Sequence, residues 1–252
     1  MTSSETTPVA AIVQVRSNSS RLPHKVLQPI LGRQLLLRVV DRLQACPLVE
    51  RVMVATTIDP SDDAIETLCK RHNLPCYRGE VAQVLNRLIG AARAFNCERF
   101  LRVCGDNPFL DPGLMAQQLE AFCPEDDYCS FFTATGEPII TKPIGLFAEA
   151  VSLAALQRVL AEAEEPMYTE HATMFIYRKP DRFRIRKLSL PAYIDPELRF
   201  TIDYPEDVHF CERVLLAHPN PTAKEIMSIV RSDVALEQEL REFSASHRKT
   251  YA

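Results

Sequence analysis

Apolar residues along the chain fall into two alternating rhythms. Short continuous or β-branched runs at 8–15 (PVAAIVQV), 51–57 (RVMVATT), 75–78 (PCYR) and 99–106 (RFLRVCGD) have the length and make-up of buried strands. Between them the spacing lengthens to that of amphipathic helices. Leu36, Val39, Val40 and Leu43 share one helical face that ends near Ala45, and Leu85, Leu88, Ile89, Ala92 and Phe95 share another. DPSDDAIETLCKRHN opens on acidic residues and closes on basic ones, as the helix dipole favours. Beyond Phe132 the pattern loosens, with Pro138, Pro143, Gly136 and Gly145 inside 133–148. Helical spacing returns in SLAALQRVLAEAEE. RFRIRKLSL and LRFTID read as strands, the second ending on Asp203, and PEDVHFCERVLLAHP reads as a capped helix. YTEHATMF places Glu170 and His171 at a helix start, and the last 30 residues read as polar amphipathic helix.

This alternation predicts an α/β fold with a mostly parallel sheet and helices on both faces. In such folds ligands sit at the carboxyl ends of the strands, near a switch in strand order. The loop leaving the first strand has an unusual composition. VRSNSSRLPHK, residues 15–25, interleaves Arg16, Arg21, His24 and Lys25 with Ser17, Asn18, Ser19 and Ser20. Its charge stands against a chain of 252 residues with formal net charge −4. A basic loop in an acidic protein points to a local anionic ligand and not to a nucleic acid.

Arginine forks, a lysine point charge, hydroxyls and backbone N–H groups suit a polyphosphate. The alternative is a solvated loop whose charges face water. No G-x-G-x-x-G and no G-x-x-x-x-G-K-[ST] occurs, and none of the seven glycines lies between 15 and 25, which argues against a Rossmann dehydrogenase or a P-loop NTPase. A polyphosphate calls for a counter-ion. Asp106 in VCGDNP and Asp203 in FTIDYPED each end an apolar run, with a proline within two residues. Alone, each reads as a turn or cap residue; on the same sheet edge as the basic loop, the two read as ligands for Mg²⁺. The eight cysteines form no Cys-x-x-Cys pair and read as reduced, buried thiols. No apolar run is long enough to cross a membrane and no leader pattern is evident, so a cytoplasmic protein is expected.

QVRSNSSRLPHKVLQPILGRQLL resembles the signature of the cytidylyltransferases that make CMP-sugars: the acylneuraminate and ketodeoxyoctonate enzymes and their spore-coat-polysaccharide relatives. The core R-x-x-S-[ST]-R-L-P-x-K falls on Arg16, Ser19, Ser20, Arg21, Leu22, Pro23 and Lys25. VATTIDPSDDAIETLC, YRGEVAQVLNR, GDNPFLDP, EHATMFIYRKPDRFRI and LRFTIDYPEDV are similar to the spore-coat branch in the same order, so the resemblance runs from about residue 9 to 215. It implies a Rossmann-like nucleotidyltransferase fold, a three-layer sandwich, with 8–220 as the nucleotidyltransferase domain. Within it, 133–180 would be a dimerisation or acceptor segment, and 221–252 a helical extension of the same domain. It further implies Asp106 and Asp203 as Mg²⁺ ligands and Arg16, Arg21 and Lys25 on the triphosphate of CTP, with Ser19 beside them. Arg78, Arg87 and Cys104 would lie near the nucleotide, in a homodimer that transfers CMP to a small-molecule acceptor and releases pyrophosphate.

Three departures from the family pattern stand out. His24 replaces a glycine before the lysine. Cys104 replaces a polar residue facing the nucleotide. TKPIGLFAEAVS carries Ile144, Gly145, Leu146 and Phe147 where D-G-L-D-V is usual. The lost acidic pair points to an altered, anionic acceptor near Lys142, Glu170 and His171; the plainer readings are a surface lysine and a structural cap. The alternatives are a different NTP, a phosphate or phosphonate acceptor, or a catalytically silent nucleotide-binding relative. A related glycosyltransferase would want Asp-x-Asp where GDNP has one aspartate.

Overall fold

Every apolar run in the first hundred residues is a strand in the computed structural model, which describes residues 9–247. Pro8 of the first run and 248–252 of the C-terminal segment lie outside them. The elements are β1 (Val9–Gln14), a small hairpin of β2 (Pro29–Ile30) and β3 (Arg33–Gln34), α1 (Leu35–Gln44), β4 (Val49–Thr57), α2 (Asp63–Arg71), β5 (Cys76–Gly79), α3 (Val84–Ala94), β6 (Arg99–Cys104), α4 (Pro112–Ala121) and β7 (Tyr128–Phe132). They continue with β8 (Glu149–Ser152), α5 (Leu153–Glu162), α6 (Pro166–Glu170), α7 (Met174–Arg178), β9 (Ile185–Ser189), α8 (Pro205–Ala217), α9 (Ala223–Ser232) and α10 (Val234–Ser246).

Seven strands form one sheet in the order β5-β4-β1-β6-β8-β7-β9. Only β8 runs against its neighbours. The period of two along β1 divides its side chains between two cores. Ala11 and Val13 face a core shared with α1, α4, α8 and α9, while Ala10 and Ile12 face one shared with α3, α5 and α7. Helix, sheet and helix thus make three layers, a Rossmann-like α/β sandwich.

Strand order reverses at β1, with β4 on one side and β6 on the other. Gln14 pairs with Cys104, so the loops leaving these two strands start side by side. Gly105 is obligatory there: a Cβ on it would lie 2.2 Å from Val15 Cγ1. The close approach lets the backbone carrying Asp106 turn directly over the basic loop.

Two predicted elements differ. LRFTID is not a strand, because its backbone bonds to loops: Phe200 N–H donates to Pro143 O (2.9 Å) and Ile202 N–H to Asp106 O (2.9 Å). Glu170 and His171 lie at the C-terminal end of α6, not at a helix start, because Pro166 in the first turn sets where that helix begins. The polar C-terminal segment is two helices. Each has an N-terminal cap of its own, Thr222 with a capping box and Asp233 accepting from Leu236 N–H. The apolar stripe of α5 is buried within the chain at Leu156 and Val159, leaving Leu160 exposed.

Candidate active site

The basic loop is fixed at both ends. Asp62, fully buried between β4 and α2, accepts from Ser17 N–H (2.6 Å), Thr56 Oγ1 (2.8 Å), Thr57 N–H (3.0 Å) and Thr57 Oγ1 (2.5 Å). Ser17 O in turn accepts from the N–H groups of Ser19 and His24. His24 has φ 56°, a left-handed conformation that a glycine adopts without strain, in keeping with the glycine that the resemblance implies at this place. Leu22 and Val26 are buried, leaving Arg16 and Arg21 exposed and Lys25 half-buried.

Burial pushes the Asp62 carboxyl up, but the hydrogen bonds from Thr57, Ser17 and Thr56 outweigh it and hold the group below the usual carboxylate range. A lowered folded-state value stabilises above the ordinary carboxylate range and is lost as pH falls through the lowered value. Asp62→Asn is therefore expected to cost about 1.5–3 kcal/mol at neutral pH. The gap to wild type should start to narrow as pH falls below about 4 and go on narrowing toward the lowered value. Melting temperatures from pH 7 to pH 3 check this; parallel curves would contradict it.

Lys25 is the hub. Its Nζ donates to Asp106 Oδ2 (2.9 Å), Asp203 Oδ1 (2.9 Å) and Ile202 O (2.8 Å). Burial alone would lower this ammonium; the two carboxylates outweigh it and hold it above the ordinary lysine range. Arg21 Nη2 also reaches Asp203 Oδ1 (2.7 Å). The second oxygen of Asp203 accepts from Arg199 Nη2 (2.7 Å), and Arg199 Nε pairs with Asp207 (2.7 Å). Both carboxylates therefore converge on one point above the ends of β1 and β6.

A cavity of about 280 Å³ opens at this point, and its lining includes Arg16, Ser19, Arg21, Lys25, Arg87, Cys104, Asp106, Glu170, His171 and Asp203. Arg87 is buried at the base, with Nη1 on Glu80 O (2.6 Å) and a buried Nε that has no hydrogen-bond partner. Burial, and then the nearby Arg16 cation, lower its guanidinium below the usual range. Two like charges crowded together, one of them buried, suit an anion. Arg78 is elsewhere: it is not among the cavity residues and pairs with Asp63 (2.7 Å) and Glu66 (2.9 Å), donating also to Thr57 O and Asp59 O. The expectation of Arg78 beside the nucleotide thus meets a residue that braces the turn from β4 into α2, because two helix-start carboxylates hold it there.

A smaller chamber of about 150 Å³ shares Arg102, Cys104, Asp106 and His171 with this cavity. Ile144 and Phe147, both buried, lie in its wall, with Lys142, Thr173 and Tyr177. Gly145 (φ 65°) packs directly on Phe200: a Cβ on it would lie 2.9 Å from the Phe200 backbone, so the loop lies flat against the Asp203 segment. Lys142 is held by Glu197 (3.1 Å) and Glu137 (3.4 Å), at the mouth of an outer chamber of about 610 Å³.

Sequence reasoning missed the groups that support the site from below. Arg102 sits at the junction of the two chambers, and Arg102 Nη1 pairs with Glu149 Oε2 (2.6 Å). Glu149, fully buried, also accepts from Thr173 Oγ1 (2.8 Å) and the Tyr128 hydroxyl. The signal was available: a charge inside an apolar strand run needs a partner.

A family model described as cytidylyltransferase matches residues 10–241. The chain belongs to the cytidylyltransferase family. This cytidylyltransferase is 30% identical over 242 residues to the spore coat polysaccharide biosynthesis protein SpsF of Bacillus subtilis, covering 90% of the chain and 97% of that protein. It is 28% identical over 114 residues to a 3-deoxy-manno-octulosonate cytidylyltransferase of Trichlorobacter lovleyi, covering 45% of the chain and 44% of that protein. Its fold is similar to that of a cytidylyltransferase from Leptospira borgpetersenii (TM-score 0.82, 21% identity, 91% of this chain and 96% of that one). A CMP:2-keto-3-deoxy-manno-octonic acid synthetase solved with CTP has the same fold (TM-score 0.63, 17% identity, 84% and 100% covered). The cytidylyltransferase is accordingly a nucleotidyltransferase enzyme. Among the described residues, no helix is long and apolar enough to cross a membrane.

Proposed function

We propose that the enzyme transfers a cytidylyl group from CTP to a small anionic acceptor, a sugar acid or a related carboxylate, phosphate or phosphonate, releasing pyrophosphate. The observation that carries this reading is the cavity where Arg16, Arg21, Lys25 and Arg87 surround two convergent carboxylates. The names of the relatives, one acting in spore coat polysaccharide biosynthesis and another bound to CTP, support a role in making activated sugars for a polysaccharide.

The cations suit the triphosphate: Arg16 and Arg21 as forks from the exposed side, Lys25 as a point charge from below, Arg87 from the base. Asp106 and Asp203 fit a divalent cation, since both are hard oxygen donors brought within 2.9 Å of one nitrogen. Mg²⁺ held there would supply charge neutralisation at the α-phosphate. An acceptor oxygen attacks the α-phosphorus in line, forming the new P–O bond. The bond from the α-phosphorus to the bridging oxygen breaks, and its electron pair leaves with pyrophosphate. The Arg16–Lys25 loop stabilises the charge that builds on that leaving group. Where the acceptor oxygen is a hydroxyl, His171 and Glu170, at the edge of the cavity, are placed to take its proton.

The acceptor enters through the smaller chamber. Its lining brings Arg102, Lys142 and His171 beside Asp106, donors that could meet the oxygens of an anion in exchange for part of their present pairing with Glu149, Glu137 and Glu197. The test is pyrophosphate release from CTP and Mg²⁺ across a panel of sugar acids, sugar phosphates and phosphonates. Turnover is expected with at least one anionic acceptor and none with neutral sugars. Turnover confined to neutral sugars would overturn the acceptor class.

A further inference from the structure

We infer that the C-terminal helix α10 positions the Asp203 carboxylate for metal binding, through Phe243 and Arg199. The inference rests on Asp203 being a metal ligand, as proposed above. Arg199 is almost wholly buried, and its guanidinium holds two carboxylates at once, Asp203 through Oδ2 and Asp207 through both oxygens (2.7 and 3.1 Å). Asp207 Oδ2 also accepts from the backbone N–H groups of Asp203 (2.7 Å) and Tyr204 (2.9 Å). One arginine–aspartate pair thus fixes both the backbone and the side chain of residue 203. With Oδ2 held by Arg199, Oδ1 is the oxygen turned toward Lys25 and Asp106.

Arg199 is held in turn by aromatic rings. Its Cζ lies 5.3 Å from the centre of the Tyr204 ring and 5.9 Å from that of Phe243. Both distances suit a cation on a ring. Tyr204 and Phe243 meet edge to face at 5.7 Å, and His247 stacks on Phe243 at 4.1 Å. Phe243 also packs on Phe210 of α8 (5.7 Å). Tyr204 follows Asp203 directly and carries Arg21 of the basic loop at 5.3 Å from its ring. The loop, the carboxylate and the last helix therefore share one stack. Phe243 and His247, which supply the stack's outer half, lie just beyond residue 241, where the family model's match ends. Without the Phe243 ring, Arg199 loses one of the two rings packed against it and gains room to rotate. Asp203 then loses the fixed geometry a small, rigidly coordinated cation requires.

Phe243 and Arg199 are positioning residues, and the test separates position from stability. Mn²⁺ binding in the presence of CTP, read by electron paramagnetic resonance, is compared in wild type, Phe243→Ala, Phe243→Tyr and Asp203→Asn, alongside CTP binding without metal. Phe243→Ala is expected to weaken Mn²⁺ about tenfold, the usual cost of losing an outer-shell partner, and to leave metal-free CTP binding unchanged. Phe243→Tyr, which keeps the ring, should restore Mn²⁺ affinity. Wild-type Mn²⁺ affinity in Phe243→Ala, whatever its melting temperature, would overturn the inference. Unchanged Mn²⁺ affinity in Asp203→Asn would instead remove the metal-ligand reading beneath it.

Discussion

Asp106→Asn is expected to slow pyrophosphate release by about 10²–10³-fold while moving the melting temperature only slightly. Asparagine matches aspartate in shape and keeps a carbonyl for Lys25, so the loop after β6 has no reason to rearrange. The side chain is part-exposed (18%), and water replaces what the lost charge gave to Lys25. What disappears is half of the negative charge that, in the proposed reaction, would gather a divalent cation against the α-phosphate. Asp203→Asn should behave differently. Its side chain is 2% exposed and contacts Arg21, Lys25 and Arg199. Neutralising it takes one of two carboxylate partners from each of two largely buried cations, Lys25 and Arg199, at a cost of up to about 3–5 kcal/mol, so this variant should lose both rate and stability. The sequence placed both aspartates at strand ends and so made them look equivalent. Near wild-type, metal-dependent turnover in Asp106→Asn would make that residue a turn former and no ligand.

Glu149→Ala is expected to be among the most destabilising single substitutions, by about 3–5 kcal/mol. In a chain of this size that corresponds to a fall of roughly 6–20 °C in melting temperature. Glu149 is fully buried and accepts from Arg102, Thr173 and the Tyr128 hydroxyl. Burial first, and the adjacent carboxylate second, push the Tyr128 hydroxyl well above the ordinary tyrosine range, so it stays protonated and donates. Removing the carboxylate strands a buried guanidinium and two hydroxyls together. It also frees the 170–173 turn that carries His171, so acceptor binding should weaken along with the fold. Glu149→Gln keeps the hydrogen-bonding shape and should fall between wild type and alanine. A loss under about 1 kcal/mol in Glu149→Ala would mean that the network contributes little beyond packing. Urea denaturation of the three proteins, followed by circular dichroism, distinguishes these outcomes.

The parts of the fold that the sequence made legible are those built by local periodicity. The continuous runs of β1, β4 and β6 and the helical stripes of α1 and α3 lie where their spacing puts them, because each buries its own apolar face. The basic loop was legible for the same reason, since no apolar period competes with its charges. LRFTID misled because its alternation reflects a different set of partners. Leu198, Phe200 and Ile202 enter the core as a strand's side chains would, but the backbone between them bonds to Pro143 and Asp106. Arg199 is buried through ion pairs to residues four and eight positions further on, and periodicity carries no information about such pairs. Arg78 shows a different limit of the sequence. Its place in a family motif suggested a ligand contact, whereas two carboxylates from α2 hold its charge. Arg102 and Glu149 were hidden inside strand runs, where each looks like a defect until its partner arrives from another strand. The altered IGLF stretch was legible as a change but not as a shape. Only the tertiary fold turns Ile144 and Phe147 into the wall of a chamber beside Asp106.

Nucleotide selectivity is the property on which the proposed reaction depends most. Thermal unfolding with Mg²⁺ and CTP, UTP, ATP or GTP in turn measures it without any acceptor, because a ligand that binds only the native state stabilises it by an amount that rises with the logarithm of its affinity. At a hundredfold excess over its dissociation constant, CTP should add about 2.7 kcal/mol, or roughly 5–10 °C, with clearly smaller shifts from the other three. An equal response to all four nucleotides, or a larger one to a purine nucleotide, would contradict the cytidylyl assignment.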